Sequence, residues 1–246
     1  MAEGEATDPG QAIVEASAEA SATEGQPEAV LAAVAQPIEA QLEKIAVYVP
    51  SDRQSALRQA EILCNVVQYR VNAETLSLET ELEFEQIQHE IVIVLSQDCD
   101  LAQDCAIRET ARRSEKTLSE VDSKLLPNVL VCELTREADF FASLPVGSDI
   151  KKRVVQNKDE RYHYLRAVAP ECDMGTIGMA AMGADFRRHF TIPTDELYGQ
   201  LDRGVARRCR LVSPFLEHLT SRFAVYLSRV ALPLDHHEGS VSPRRP

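Results

Sequence analysis

The sequence predicts an α+β domain: a curved, mostly antiparallel sheet with a helix packed at its C-terminal end, carried behind an acidic arm. Three observations predict it. Short β-branched runs are broken by turns and polar insertions rather than by regularly alternating helices. A clean apolar stripe at helical spacing stands near the end of the chain. Charge is also segregated, because residues 1–43 hold nine of the 39 acids and no Lys or Arg.

The elements follow in order. Residues 1–43 are rich in Ala, Glu, Ser, Gly and Thr, a composition that buries too little apolar surface to offset the entropy of ordering. They are expected to be a disordered solubilising arm, with a transient helix over 28–35, or an arm that engages a protein partner. The domain is expected over 44–235 and a frayed tail over 236–246. Ser51 and Asp52 suit a helix start, and Ala56, Leu57, Ala60 and Leu63 recur at helical spacing, which predicts a short helix to about Gln59. A β-branched strand then runs from Ile62 to Val71, and alternation over 76–82 predicts another. The continuous run Ile91-Val92-Ile93-Val94-Leu95 is the clearest strand, suited to a fully buried position. Residues 106–124 read as a charged surface helix. Pro127 precedes a second buried strand from Val129 to Leu134. Residues 185–193 read as an edge strand ended by Pro193, with a helix starting at Thr194 or Asp195. Ser213 suits a cap and Pro214 a first turn, ahead of the stripe Leu216, Leu219, Phe223, Tyr226 and Val230. The competing architecture is an α/β sheet with Asp98 and Asp100 at the C-terminal end of a strand; a parallel neighbour beside 91–95 would select it.

Composition narrows the class. Apolar residues make up 44% of 246, Trp is absent and aromatics are 5%, so Leu, Val, Ile and Ala must build the core. The formal charge of −13 lies mostly in the arm, and the rest of the chain is close to balanced. That argues against general nucleic-acid affinity and leaves room for a local basic groove. Six cysteines without CxxC spacing read as reduced thiols of a cytoplasmic protein, with neither a disulfide framework nor a structural zinc site. The N-terminus lacks the basic region of a secretory signal, and the apolar run 91–95 is far too short to cross a bilayer, so no membrane partner is expected.

Three constellations carry chemistry. Ser96-Gln97-Asp98-Cys99-Asp100 follows the buried strand, and two acids at i, i+2 suit a hard cation or a shared proton. Asp98 and Asp100 are thus candidate catalytic residues and candidate ligands for magnesium or manganese, although the leading expectation is no cofactor. The structural alternative is a turn whose carboxylates bond local N–H groups. A strand followed by Asp-x-Asp resembles haloacid-dehalogenase-like phosphatases, but position 102 is Ala where that motif carries Thr or Val. It also resembles the metal-binding motif of glycosyltransferases. The second constellation runs from Gln156 to Tyr164, where His163 is a candidate acid or base and Arg161 and Lys158 candidate stabilisers of phosphate charge. The alternative is an exposed loop leading into a strand. The third is the arginine series Arg203, Arg207, Arg208 and Arg210, with Arg222 and Arg229 beyond; Arg207 and Arg208 are candidate binding residues in a phosphate or RNA groove, against a plain solvated flank. His89, just before the central strand, and Thr135, just after the next, complete the candidate binding set.

With these residues in view, the middle of the chain resembles the PemK/MazF superfamily of SH3-like β-barrels. Glu61-Ile62-Leu63 resembles that family's first strand. Ile91-Val92-Ile93-Val94-Leu95-Ser96 resembles its second, and Pro127 to Thr135 its third, with the helix after Phe215 in the place of its terminal helix. The resemblance implies an SH3-like, PemK-like barrel with insertions and, for its toxin members, metal-independent ribonuclease activity. The sequence departs from the family where Gln88-His89-Glu90 stands in place of an Arg before the second strand, and in long insertions over 98–127 and 136–170. The chain also resembles uncharacterised bacterial proteins that share the VLSQDCDL segment. The leading functional expectation is a bacterial, cytoplasmic binding or regulatory module, toxin- or defence-associated, whose partners are a protein held by the acidic arm or RNA. A ribonuclease-like enzyme and an Asp-x-Asp metal-dependent phosphate-processing enzyme are the alternatives. Oligomeric state is not legible.

Overall fold

The computed structural model describes residues 46–72, 83–114, 125–145 and 147–229. The arm over 1–43, the helix over 28–35, the strand over 76–82, the end of the charged helix and the tail lie outside these residues. Among the described residues seven strands form one open sheet: β1 (Tyr48–Pro50), β2 (Glu61–Val71), β3 (Phe84–Val94), β4 (Asn128–Arg136), β5 (Tyr162–Leu165), β6 (Met182–Pro193) and β7 (Ala206–Leu211). Their order is β1-β7-β2-β3-β4-β6-β5, and every pairing is antiparallel. Both neighbours of β3 run against it, which removes the parallel α/β alternative. Among the described residues five α-helices join the sheet: α1 (Asp98–Arg113), α2 (Glu137–Ser143), α3 (Ser148–Val155), α4 (Thr194–Arg203) and α5 (Phe215–Leu227). The architecture is therefore mixed α+β.

Strand alternation sends apolar side chains to both faces. On one face Ile62, Ile91, Ile93, Cys132, Ala184 and Phe186 pack with Leu219 and Phe223 of α5. On the other, Leu63, Val92, Val94, Val131 and Ile192 pack with Leu101 of α1 and Leu197 of α4. Burial on both faces explains why β3 and β4 read as unbroken apolar runs rather than alternating ones. A smaller cluster of Phe140, Val154 and Tyr162 ties α2 and α3 to the β5 edge.

Strand β6 carries a wide irregularity. Cys132 pairs with His189 but Leu134 pairs with Ala184, so two steps along β4 correspond to five along β6. The inserted backbone flips the side-chain parity: Phe186 joins the α5-side core, whereas Phe190 joins the other. It also leaves Arg187 and Arg188 exposed at the kink.

Four expectations need correction. Residues 51–59 form no helix, although their spacing suits one. Ser51 N–H donates to the Arg208 carbonyl, Gln54 N–H to Asp52 Oδ1, and the Ser55 and Ala56 carbonyls accept from the Arg207 guanidinium. Tertiary hydrogen bonds thus override a weak local preference. The charged helix begins at Asp98, not at 106, so Asp98 and Asp100 occupy a first helical turn, where acids complement the helix dipole. Strand β6 begins at Met182 rather than at 185; β5 pairs with Met182 to Asp185, and the remainder from Phe186 to Pro193 is the expected edge. Helix α5 starts at Phe215 with Pro214 in the cap position, so Ser213 is not the cap.

Candidate functional site

The candidate residues fall into separate settings. Asp98 is half-buried and fully engaged: Arg58 Nε and Nη2 donate to its two oxygens at 3.0 and 2.7 Å, and Gln59 N–H donates at 2.6 Å. The Arg58 hydrogen bond holds its carboxyl below the usual carboxylate range. Asp100 is exposed in the same turn. Among the described residues no group of three or more His, Cys, Asp or Glu is arranged to hold a metal ion. Asp98 therefore finds an arginine and a backbone amide where a cation site needs further oxygens.

His163 is 4% exposed, on β5, with its ring against Phe186 and His218. Burial, with Arg222 and His218 nearby, drives its pKa down to about 3, and its Nδ1 has no hydrogen-bond partner among the described residues. A neutral, enclosed imidazole is poorly suited to proton transfer with a bound polymer. His89 is also buried: it stacks on Phe190 at 4.2 Å, meets Glu133 at 3.6 Å and reaches Gln68 at 3.3 Å. Thr135 is half-buried in β4, opposite Gly183. No hydrogen bond or ion pair among the described residues joins His163 or Arg161 to Asp98 or Asp100.

Arg207 and Arg208 serve the interior. Arg207 donates to the fully buried Glu61 through Nε and Nη2 at 2.6 and 2.8 Å. Arg208 donates to buried Asp173 at 2.7 and 2.6 Å, while the N–H groups of Gly175, Ile177 and Gly178 complete that carboxylate's shell. Arg208 is the main reason the Asp173 pKa is lowered to about 2. Arg203 is paired with Glu196.

A different set of cations converges. Arg153 from α3, Arg161 at the start of β5, Arg187 from the β6 kink and Arg229 after α5 line one open depression of about 380 Å3, with Asp159 and Glu160. The 157–162 segment is held in place by Arg222, whose guanidinium donates to the Asn157, Asp159 and Tyr162 carbonyls. Arg161 is braced by Asp185 and lies 4.7 Å from the Tyr162 ring centroid. Arg153 and Arg229 pair with Asp159 and Glu160. The Arg187 side chain has no hydrogen-bond or ion-pair partner among the described residues. Lys158 is exposed in the same segment, and Lys151 and Lys152 are exposed on α3.

Sequence reasoning marked Arg161, Lys158 and Arg229 but missed Arg153 and Arg187. The signal for Arg187 was present as the Arg187-Arg188 pair within an otherwise β-like run. No protein-family model matches the chain, and no curated protein matches it. No helix among the described residues is long and apolar enough to cross a membrane.

Proposed function

We propose that this chain is a non-catalytic binding or regulatory module whose ligand is a phosphate-rich polymer, RNA being the leading case, held on the arginine surface between α3, β5, β6 and α5. One observation carries the reading: Arg153, Arg161, Arg187 and Arg229, from four separate elements, line a single depression. Guanidinium groups match phosphate oxygens bidentately, and a rigid scaffold beneath them lowers the cost of ordering. The groups best suited to catalysis are engaged elsewhere, since Asp98 bonds Arg58 and His163 is enclosed and neutral. That favours binding over cleavage. The resemblance of 61–63, 91–96 and 127–135 to the PemK/MazF superfamily points to the same ligand class.

Fluorescence anisotropy with a labelled single-stranded RNA tests the proposal. At low salt the full chain should bind, and the exposed changes Arg153→Ala and Arg187→Ala together should weaken binding by about tenfold or more. The RNA should be recovered intact. Absence of binding at low salt would sink the reading, and RNA shortened by the protein would replace it with the ribonuclease alternative.

A further inference from the structure

A second cleft, of about 550 Å3, opens on the face that α1 and α4 cover, between α1, the end of α4, the start of β7 and the 53–55 loop. Its volume falls in the range of roughly 300–1,000 Å3 that holds small ligands. Its walls are built, not incidental. The loop wall is fixed by Arg207, which donates to the Ser55 carbonyl at 2.8 Å and the Ala56 carbonyl at 3.0 Å while gripping Glu61 below. The helix wall is fixed by Arg108, which bonds the buried Asp104 at 2.7 Å, meets Asp195, and lies 5.3 Å from the Tyr198 ring centroid. Leu201, Val205 and Ala206 add apolar surface.

Against this rigid background three lining side chains stand out. Arg53, Arg112 and Asp202 all line the cleft, all are exposed, and none has a hydrogen-bond or ion-pair partner among the described residues. The cleft thus combines an aromatic and aliphatic surface, two uncommitted guanidinium groups and one uncommitted carboxylate. A ligand that uses all three needs a flat apolar body, an anionic group and hydrogen-bond donors. Cys105 also lines the cleft, but burial pushes its thiol up, so it offers packing rather than a nucleophile.

We infer that this cleft binds a mononucleotide. Arg53 and Arg112 take the phosphate, Asp202 accepts from the hydroxyl or amino donors, and the base lies on the surface formed by Tyr198, Leu201 and Val205. The inference is independent of the RNA surface, which uses α3, β5, β6 and α5 instead. Loss of either site leaves the other measurable.

Isothermal titration of the full chain with AMP, GMP, CMP and UMP in turn, beside adenosine and inorganic phosphate, tests it. At least one mononucleotide should bind with Kd of about 1 mM or tighter, and about tenfold tighter than either fragment, since both halves of the cleft contribute. The double variant Arg53→Ala/Arg112→Ala should lose that affinity by about tenfold or more, with an unchanged thermal midpoint because both side chains are unpaired. Arg187→Ala should bind as the wild type does. No heat with any of the four mononucleotides would overturn the inference. So would inorganic phosphate binding as tightly as the nucleotide, or full affinity in the double variant.

Discussion

Arg207 and Arg187 carry the same side chain into opposite circumstances. Arg207 is buried, with donors directed at Glu61 and two backbone carbonyls, whereas Arg187 is exposed at the kink of β6 with no partner among the described residues. The same contrast separates Arg208, locked to Asp173, from Arg53 and Arg112 on the rim of the second cleft. Charge density in a sequence does not distinguish these roles. A cation that already satisfies an interior carboxylate is part of the scaffold, because using it for a ligand would leave that carboxylate buried and unpaired. Cations that are uncommitted, or held only in exposed pairs as Arg153 and Arg229 are, remain available for recognition.

This contrast can be tested from the scaffold side first, where effects are largest. Glu61→Gln leaves the buried Arg207 guanidinium without its counter-charge and should lower unfolding free energy by about 3–5 kcal/mol in urea denaturation; Asp173→Asn, whose partner Arg208 is half-buried, should cost less, about 2 kcal/mol. A loss below about 1 kcal/mol would show that these pairs are not interior supports.

His163 sharpens the comparison through pH. Its pKa is held at about 3 in the folded chain, against an ordinary value of 6.5. The unfolded chain therefore takes up the proton first. Stability is complete above pH 6.5 and declines as pH falls toward 3, by about 1.4 kcal/mol per pH unit once well below 6.5. His163→Gln removes this contribution, so between about pH 6 and 5 the variant should lose less stability than the wild type. Parallel profiles would contradict the enclosed, neutral imidazole.

Asp98→Asn lies between the two regimes, because its partner Arg58 is partly exposed. It should cost about 1 kcal/mol and leave RNA affinity unchanged. The smallest stability effects belong to Arg53→Ala and Arg187→Ala, each within about 0.5 kcal/mol of wild type, although each removes a cation from a proposed ligand site.

Much of the sheet was legible because its physics is local. The runs in β3 and β4 are unbroken and β-branched, as burial on both faces requires, and Pro193-Thr194 marks the junction of β6 and α4. What escaped depends on distant partners. Residues 51–59 have helical spacing, but hydrogen bonds with the Arg207 guanidinium and the Arg208 carbonyl, about 150 positions away, hold them as a loop. Strand β5 was expected only as the strand that the 156–164 segment leads into; with four residues inside a polar stretch, no period sets its bounds. The start of α1 was hidden because Asp98 and Asp100 signal a turn as readily as a first helical turn. The site divides in the same way. Arg161 and Lys158 stood out within one short segment, but the convergence of Arg153, Arg187 and Arg229 exists only after α3, the β6 kink and the end of α5 are brought together.

The central claim is that exposed arginines, free as Arg187 is or in a surface pair as Arg153 is, contact the ligand and the interior pairs do not, and the salt dependence of RNA affinity tests it most directly. For a single strand each neutralised phosphate contributes about 0.7 to the slope of log K against log salt concentration. The Arg153→Ala/Arg187→Ala variant should therefore show a slope shallower than wild type by about 1.4, with unfolding free energy little changed. An identical slope and affinity in the two proteins would contradict the account.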